Sequence, residues 1–267
     1  MTRKLRIAVH KFASCDGCQM QFLNLEQDLL TLARQVEIVH FAEATSVMQQ
    51  GPYDVSFVEG SISTAADLQR IQQVRAASRM LVTIGACATA GGLQALRNLK
   101  DHGEFVRAIY ARPDYIDSLA QSTPVSAHVK VDAELWGCPI DQQQLKRVLG
   151  DVLARITPRV PGESVCMECK RAGNVCVLVA KGEPCLGPVT RTGCGALCPR
   201  YERDCYGCFG PQEDGNARAL GRRFQALGLS ADEIVRRFRF INGWAPAMKE
   251  AASAWEKPET SMSRPHE

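Results

Sequence analysis

The chain has 267 residues, 45% of them hydrophobic and 23% charged, a balance that suits one large or two modest folded domains and argues against disorder. Against 29 acidic residues stand 32 basic ones, so the formal charge of +3 is too even to suggest nucleic acid as a partner. No apolar stretch approaches the roughly 18 residues of a membrane helix and no basic start leads into a long apolar segment, so neither a membrane anchor nor export is expected.

In chain order, Arg6 to His10 reads as a strand, Gln19 to Arg34 as a helix, and Val36 to Phe41 and Val55 to Val58 as short β-rich runs. Leu68, Ile71 and Val74 then recur at helical spacing within Thr64 to Ser78, with Thr64 and Asp67 forming a capping pair at the start. Met80 to Ile84 is a fourth strand and Val131 to Trp136 a fifth. Ala88 to Val125 carries no clear pattern. Asp141 to Arg155 is a helix with Leu145, Val148, Leu149 and Val152 on one face. Repeated β-α units of this kind predict an α/β fold, a doubly wound, flavodoxin-like parallel sheet covered on both faces.

From Thr157 the pattern changes. Pro158, Pro161, Gly162, Pro184, Gly187, Pro188, Gly193, Gly195 and Pro199 interrupt any long element, so this part is expected to build little apolar core and to take its order from bound metal and from the first domain. Short helices follow at Asn216 to Leu227 and Asp232 to Phe240, and Lys257 to Glu267 reads as a polar tail. The expected division is residues 1–156 as the flavodoxin-like domain and 157–267 as a C-terminal loop-rich iron-sulfur domain ending in helices.

The chain carries 12 cysteines, and where thiols are kept reduced that number points to metal ligation rather than disulfides. Cys15 and Cys18 follow the first strand, Cys87 the fourth and Cys138 the fifth, so three distant loops bring four thiols to the carboxyl edge of one sheet, where ligands of such folds collect. Gly17, Gly85 and Gly137 beside them let backbone pass close to a bulky object. Four thiolates hold either zinc or an iron-sulfur cluster. Zinc sites are usually knit from two close pairs in a small module; one pair and two singletons on a formed sheet favour the cluster. Buried, unliganded thiols are the bland alternative for Cys87 and Cys138.

The remaining eight, Cys166, Cys169, Cys176, Cys185, Cys194, Cys198, Cys205 and Cys208, suit two further four-iron clusters with none left over. They divide into quartets in about 35 ways. The sequential split after Cys185 is the working choice; an interleaved pairing of the ferredoxin kind stays open, and two C-x2-C pairs leave zinc as a competitor. Glu59, ending the third strand, faces the same edge and is either part of a proton path or subunit contact, or a solvated loop acid. No G-x-G-x-x-G follows a strand and no G-x-x-x-x-G-K-[ST] is present, so nucleotide binding is assigned elsewhere.

Ser14-Cys15-Asp16-Gly17-Cys18-Gln19, Val58-Glu59-Gly60-Ser61-Ile62-Ser63, Gly85-Ala86-Cys87-Ala88 and Gly137-Cys138-Pro139 resemble the small subunit of nickel-iron hydrogenases. Cys166-Met167-Glu168-Cys169, Gly182 to Arg191, Gly193-Cys194 and Cys205-Tyr206-Gly207-Cys208 are similar to the delta subunit of cytoplasmic NAD(P)-linked hydrogenases, or sulfhydrogenases. The resemblance covers roughly residues 5 to 245. It implies a cytoplasmic electron-transfer subunit of an oxidoreductase, with no nickel-iron site of its own. Cys15, Cys18, Cys87 and Cys138 would hold the proximal 4Fe-4S cluster and the later eight the medial and distal ones. The implied partners are a nickel-iron large subunit and iron-sulfur and flavin/NAD(P)-binding diaphorase subunits. Membrane-bound relatives use a distal histidine; here Cys166 stands in that place, so three four-iron clusters without a histidine ligand are expected. The quinone-reductase subunit of respiratory complexes shares the fold but has adjacent cysteines and lacks the second cluster domain. An F420-reducing or heterodisulfide-linked hydrogenase, and a zinc-stapled scaffold without redox chemistry, are the alternatives.

Overall fold

The computed structural model describes residues 3–256, apart from the Leu29 side chain; the polar tail expected over 257–267 lies outside them. Five strands, β1 (Leu5–Lys11), β2 (Val36–Phe41), β3 (Tyr53–Glu59), β4 (Ser78–Ile84) and β5 (Ala133–Leu135), pair in parallel in the order β2-β1-β3-β4-β5. This is the flavodoxin-like order, with its switch point between β1 and β3. All seven residues of β3 are buried, as a central strand of a sheet covered on both faces requires.

The helices are α1 (Gly17–Leu23), α2 (Gln27–Gln35), α3 (Ala65–Ala77), α4 (Gly85–Ala90), α5 (His102–Ile109), α6 (Gln142–Leu153), α7 (Val165–Arg171), α8 (Val177–Ala180), α9 (Leu197–Arg200), α10 (Ala217–Ala226), α11 (Ala231–Phe238) and α12 (Pro246–Ser253). One face of the sheet packs Ile7, Phe57, Val82 and Ile84 against Phe22 and against Leu145, Val148 and Val152 of α6. The other packs Val58 and Leu81 against Ile71 and Val74 of α3. The Thr64–Asp67 pair forms a full capping box: the Thr64 hydroxyl accepts from the Asp67 N–H and the Asp67 carboxylate from the Thr64 N–H.

Three sequence expectations need correction. The single helix over Gln19–Arg34 is two, α1 and α2, because Glu26 adopts φ 51° and turns the chain while Leu25 enters the core. The unreadable stretch after Ala88 contains a 3-10 helix, Gly92–Leu99, and then α5, a short helix that buries none of its residues. The third concerns the region after Thr157, which does build a core. Leu220, Phe224, Ile234, Phe238 and Met248 from α10 to α12 close over Leu186 and Val189. The expectation of little apolar packing fits only the cysteine-bearing stretch, where the buried cluster is Val165, Val177, Ala196 and two of the cysteines themselves, Cys185 and Cys205.

The two regions meet along a seam. Gly210 (φ 77°) lies flat on the Trp136 ring, where any β-carbon would collide with the indole. Beside it, Gln144 of α6 donates to the Thr192 carbonyl at 3.2 Å, and a β-carbon on Gly193 would stand 2.5 Å from Gln144 Nε2.

Candidate metal centres

Cys15 and Cys18 leave the end of β1, Cys18 in the first turn of α1; Cys87 lies in the first turn of α4 directly after β4; and Cys138 follows β5 in the turn closed by Gly137 and Ile140. All four therefore stand at the carboxyl edge of the sheet. Gly85 (φ 84°) supplies a conformation other residues rarely adopt, and a β-carbon there would run into Cys18 Sγ. A β-carbon on Gly92 would lie 2.7 Å from Cys87 Sγ. The backbone is thus kept clear around the sulfurs on two sides.

Glu59 is neither solvated nor loose. It is 1% exposed, and its two carboxylate oxygens accept the N–H groups of Cys18 at 3.1 Å and Gln19 at 3.2 Å. It thereby satisfies orphan donors at the start of α1 from across the sheet, a capping role that α1 cannot fill from its own N-cap. Burial holds the Glu59 carboxyl above the usual carboxylate range despite these bonds. Gln94, on the 3-10 helix, accepts from the Cys87 thiol at 3.3 Å and donates to the Ala13 carbonyl at 3.0 Å, closing the same edge. Sequence reading missed Gln94, whose seven-residue separation from Cys87 matches no regular helix face across the Gly91-Gly92 break.

Burial is the main cause that raises the thiols here: Cys18 and Cys138 go up, and Cys87 is pushed to about 12. Neighbouring groups add to it, with Cys18 feeling Glu59, Cys87 and Cys138, and Cys87 feeling Cys138 and Cys15. Cys18, Cys87 and Cys138, raised chiefly by burial, are stable without metal as neutral thiols, and become thiolates when a cation centre compensates the charge.

In the later region Cys166 and Cys169 project from α7, Cys176 caps α8, and with Cys185 they line one cavity of about 100 Å³, together with Gly187 and Pro199. A β-carbon on Gly187 would approach Cys185 Sγ to 3.3 Å and Cys166 Sγ to 3.6 Å, so glycine is again what leaves room beside sulfur. Burial, then Cys185, Cys169 and Cys176, push the Cys166 thiol up to about 11. The other four also gather: burial, then Cys194, Cys138 and Cys198, push Cys208 up to about 12, and Cys205 is raised by burial and by Cys185 and Cys208. Backbone N–H groups point at sulfur, from Cys205 to Cys185 Sγ at 3.2 Å and from Gly207 to Cys205 Sγ at 3.4 Å. Among the described residues no three His, Cys, Asp or Glu side chains are drawn closely enough together to hold a single metal ion, and no helix is long and apolar enough to cross a membrane.

The sheet order and the thiols at its carboxyl edge define a class, and comparison with known proteins agrees with it. The sequence profile described as NADH ubiquinone oxidoreductase, 20 Kd subunit, matches residues 15–152, which hold all four sheet-edge cysteines, and the chain belongs to that family. Within it, the chain is the small subunit of a hydrogenase. It is 35% identical over 240 residues to sulfhydrogenase 2 subunit delta of Pyrococcus furiosus, covering 90% of this chain and 100% of the relative. A subunit of the vhu F420-non-reducing hydrogenase of Methanococcus voltae is 26% identical, over 91% of this chain and 95% of the relative. A chain in the crystal structure of an NAD+-reducing [NiFe]-hydrogenase in the H2-reduced state superposes with a TM-score of 0.55 at 30% identity, over 60% of this chain and 96% of that one.

Proposed function

We propose that this subunit conducts single electrons between a nickel-iron large subunit and a diaphorase that reduces NAD(P), in either direction, in the cytoplasm. In this reading Cys15, Cys18, Cys87 and Cys138 hold one 4Fe-4S cluster, Cys194, Cys198, Cys205 and Cys208 a second, and Cys166, Cys169, Cys176 and Cys185 a third. The first lies in a sheet domain over 1–156, the others in a domain over 157–267. When bound, each cluster accepts and releases one electron.

The observation that carries the reading is the adjacency of the groups. Cys208 lies near enough to Cys138 of the sheet edge to feel its charge, and the Cys205 N–H donates to Cys185 Sγ at 3.2 Å, which supports reading the twelve thiols as three foursomes in a row across the seam. The chain's own contribution is to hold that row. Glu59 anchors the helix that carries Cys18. Gly85, Gly92 and Gly187 keep β-carbons away from sulfur. The amides of Cys205 and Gly207 donate to sulfur, which raises reduction potentials by stabilising the more negative state. Twelve cysteines, none of them in a disulfide, fit the chemistry of the donor set and a reducing compartment.

Iron and acid-labile sulfide in the anaerobically purified complex test this directly: about twelve of each per chain are expected from three four-iron clusters. A colourless complex containing zinc would overturn the proposal in favour of a stapled scaffold. The acceptor has a second reading. The relative from Methanococcus voltae matches a larger share of this chain than the NAD+-reducing structure does, which favours a hydrogenase serving another acceptor. H2-dependent reduction of NAD(P)+ by the complex, and a flavin subunit copurifying with it, decide between the two.

A further inference from the structure

Glu168 lies between Cys166 and Cys169 on α7, yet its carboxylate turns to the other later group. Oε1 accepts the Gly193 N–H at 2.9 Å and Oε2 the Ala196 N–H at 3.0 Å, bracketing Cys194. The loop is shaped for this. Gly193 (φ 144°), Gly195 (φ 63°) and Ala196 (φ 53°) all take positive φ, which curls the chain so that its amides converge, the concave backbone arrangement that binds anions. Ala196 holds its strained conformation with a β-carbon present, so something over-determines it. Arg171, one of two cations on the same helix, is engaged by both oxygens of Glu163.

We propose that Glu168 is a positioning residue that clamps the Cys194 loop onto α7 and so sets the separation of the two later cysteine groups, while placing a negative charge between them. The clamp rests on the proposed function for its redox meaning, but the contact itself does not. Loss of the carboxylate has two consequences. One acceptor for the paired amides disappears, and the charge that disfavours reduction of both neighbouring centres is removed.

The test uses Glu168→Gln in the intact complex, with Glu183→Gln, an exposed acid two residues from Cys185, as control. Hydrogen exchange at residues 193–196 is expected to quicken about tenfold in Glu168→Gln, as for loss of one charge-assisted bond. Redox titration followed by electron paramagnetic resonance should show the two later centres shifted to higher potential, with altered magnetic interaction between them and the sheet-edge centre unmoved. Unchanged exchange together with unchanged potentials overturns the clamp, as does an equal shift in Glu183→Gln, which would mean a general charge effect. Absence of iron-sulfur signals in the wild-type complex defeats the proposed function, and the exchange measurement then judges the clamp alone. Where Glu168→Gln does not accumulate, Glu168→Asp is measured the same way, since its shorter arm does not reach both amides: wild-type exchange and spectra overturn the clamp, and faster exchange supports it.

Discussion

The sheet region and the cysteine-bearing stretch from Val165 to Cys208 hold sulfur in opposite ways. In the first, a two-faced sheet with its own aliphatic and aromatic core sets three loops, and Cys18 is the one thiol that joins that core while the others stand at the strand ends. In the second, the helices are four to seven residues long and the buried cluster includes Cys185 and Cys205 themselves. Isolated helices of that length do not persist in water, so the thiols and whatever joins them are the core. One site is installed in a finished scaffold, whereas the other is the scaffold.

The sharpest way to break this comparison is to remove iron. Chelation under reducing conditions should open 163–210 to protease while residues 5–153 stay resistant; equal cleavage of both would end the distinction. At the sheet edge, Cys87→Ser should leave the sheet folded by circular dichroism but lower hydrogen oxidation with any acceptor more than about hundredfold. The seam comes next. Gly210→Ala forces a β-carbon into the Trp136 ring at a positive φ and should cost about 3 kcal/mol, read as a fall in the melting temperature. Glu59→Ala leaves the Cys18 and Gln19 amides without their acceptor inside the protein and should cost about 2 kcal/mol.

A smaller effect distinguishes the regions by pH. Burial, with the nearby His40 and Arg70, pushes the His10 pKa down from 6.5 to about 3. The unfolded chain therefore takes up a proton as pH falls through 6.5 and the folded sheet does not, so stability falls with acid in that window. His10 alone should account for a loss of about 1 kcal/mol from pH 7.5 to 5.5, on top of the smaller losses from His40 and His128, and the pH slope should flatten by that amount in His10→Gln; an unaltered slope would refute the assignment.

Much of this was legible because the sheet obeys local rules. Alternating β-α units predicted the flavodoxin-like sheet, the Thr64–Asp67 box is seen as predicted, and the spacing of Cys15, Cys18, Cys87 and Cys138 placed them on one edge. What escaped sequence reading depends on long-range placement. Glu59 looked like a loop acid because its partners lie forty residues away in the chain. Glu168 drew no reading of its own, since no local pattern announces that its oxygens meet amides beyond Thr192. The core over Leu186 escaped because α12, which begins at Pro246, buries two alanines, Ala251 and Ala252, beside a single large residue, Met248, and so shows little apolar stripe before α10 and α11 are in place.

The indole of Trp136 resting on bare backbone at Gly210 carries an implication for how such subunits are exchanged or rebuilt. The aromatic ring belongs to the end of β5 and the glycine to the far side of the seam, two residues from Cys138 and Cys208 respectively. A graft that replaces one side of this seam with foreign sequence separates the ring from the glycine it was fitted to. A chimera that keeps Trp136 and Gly210 together should retain the separation of Cys138 from Cys208.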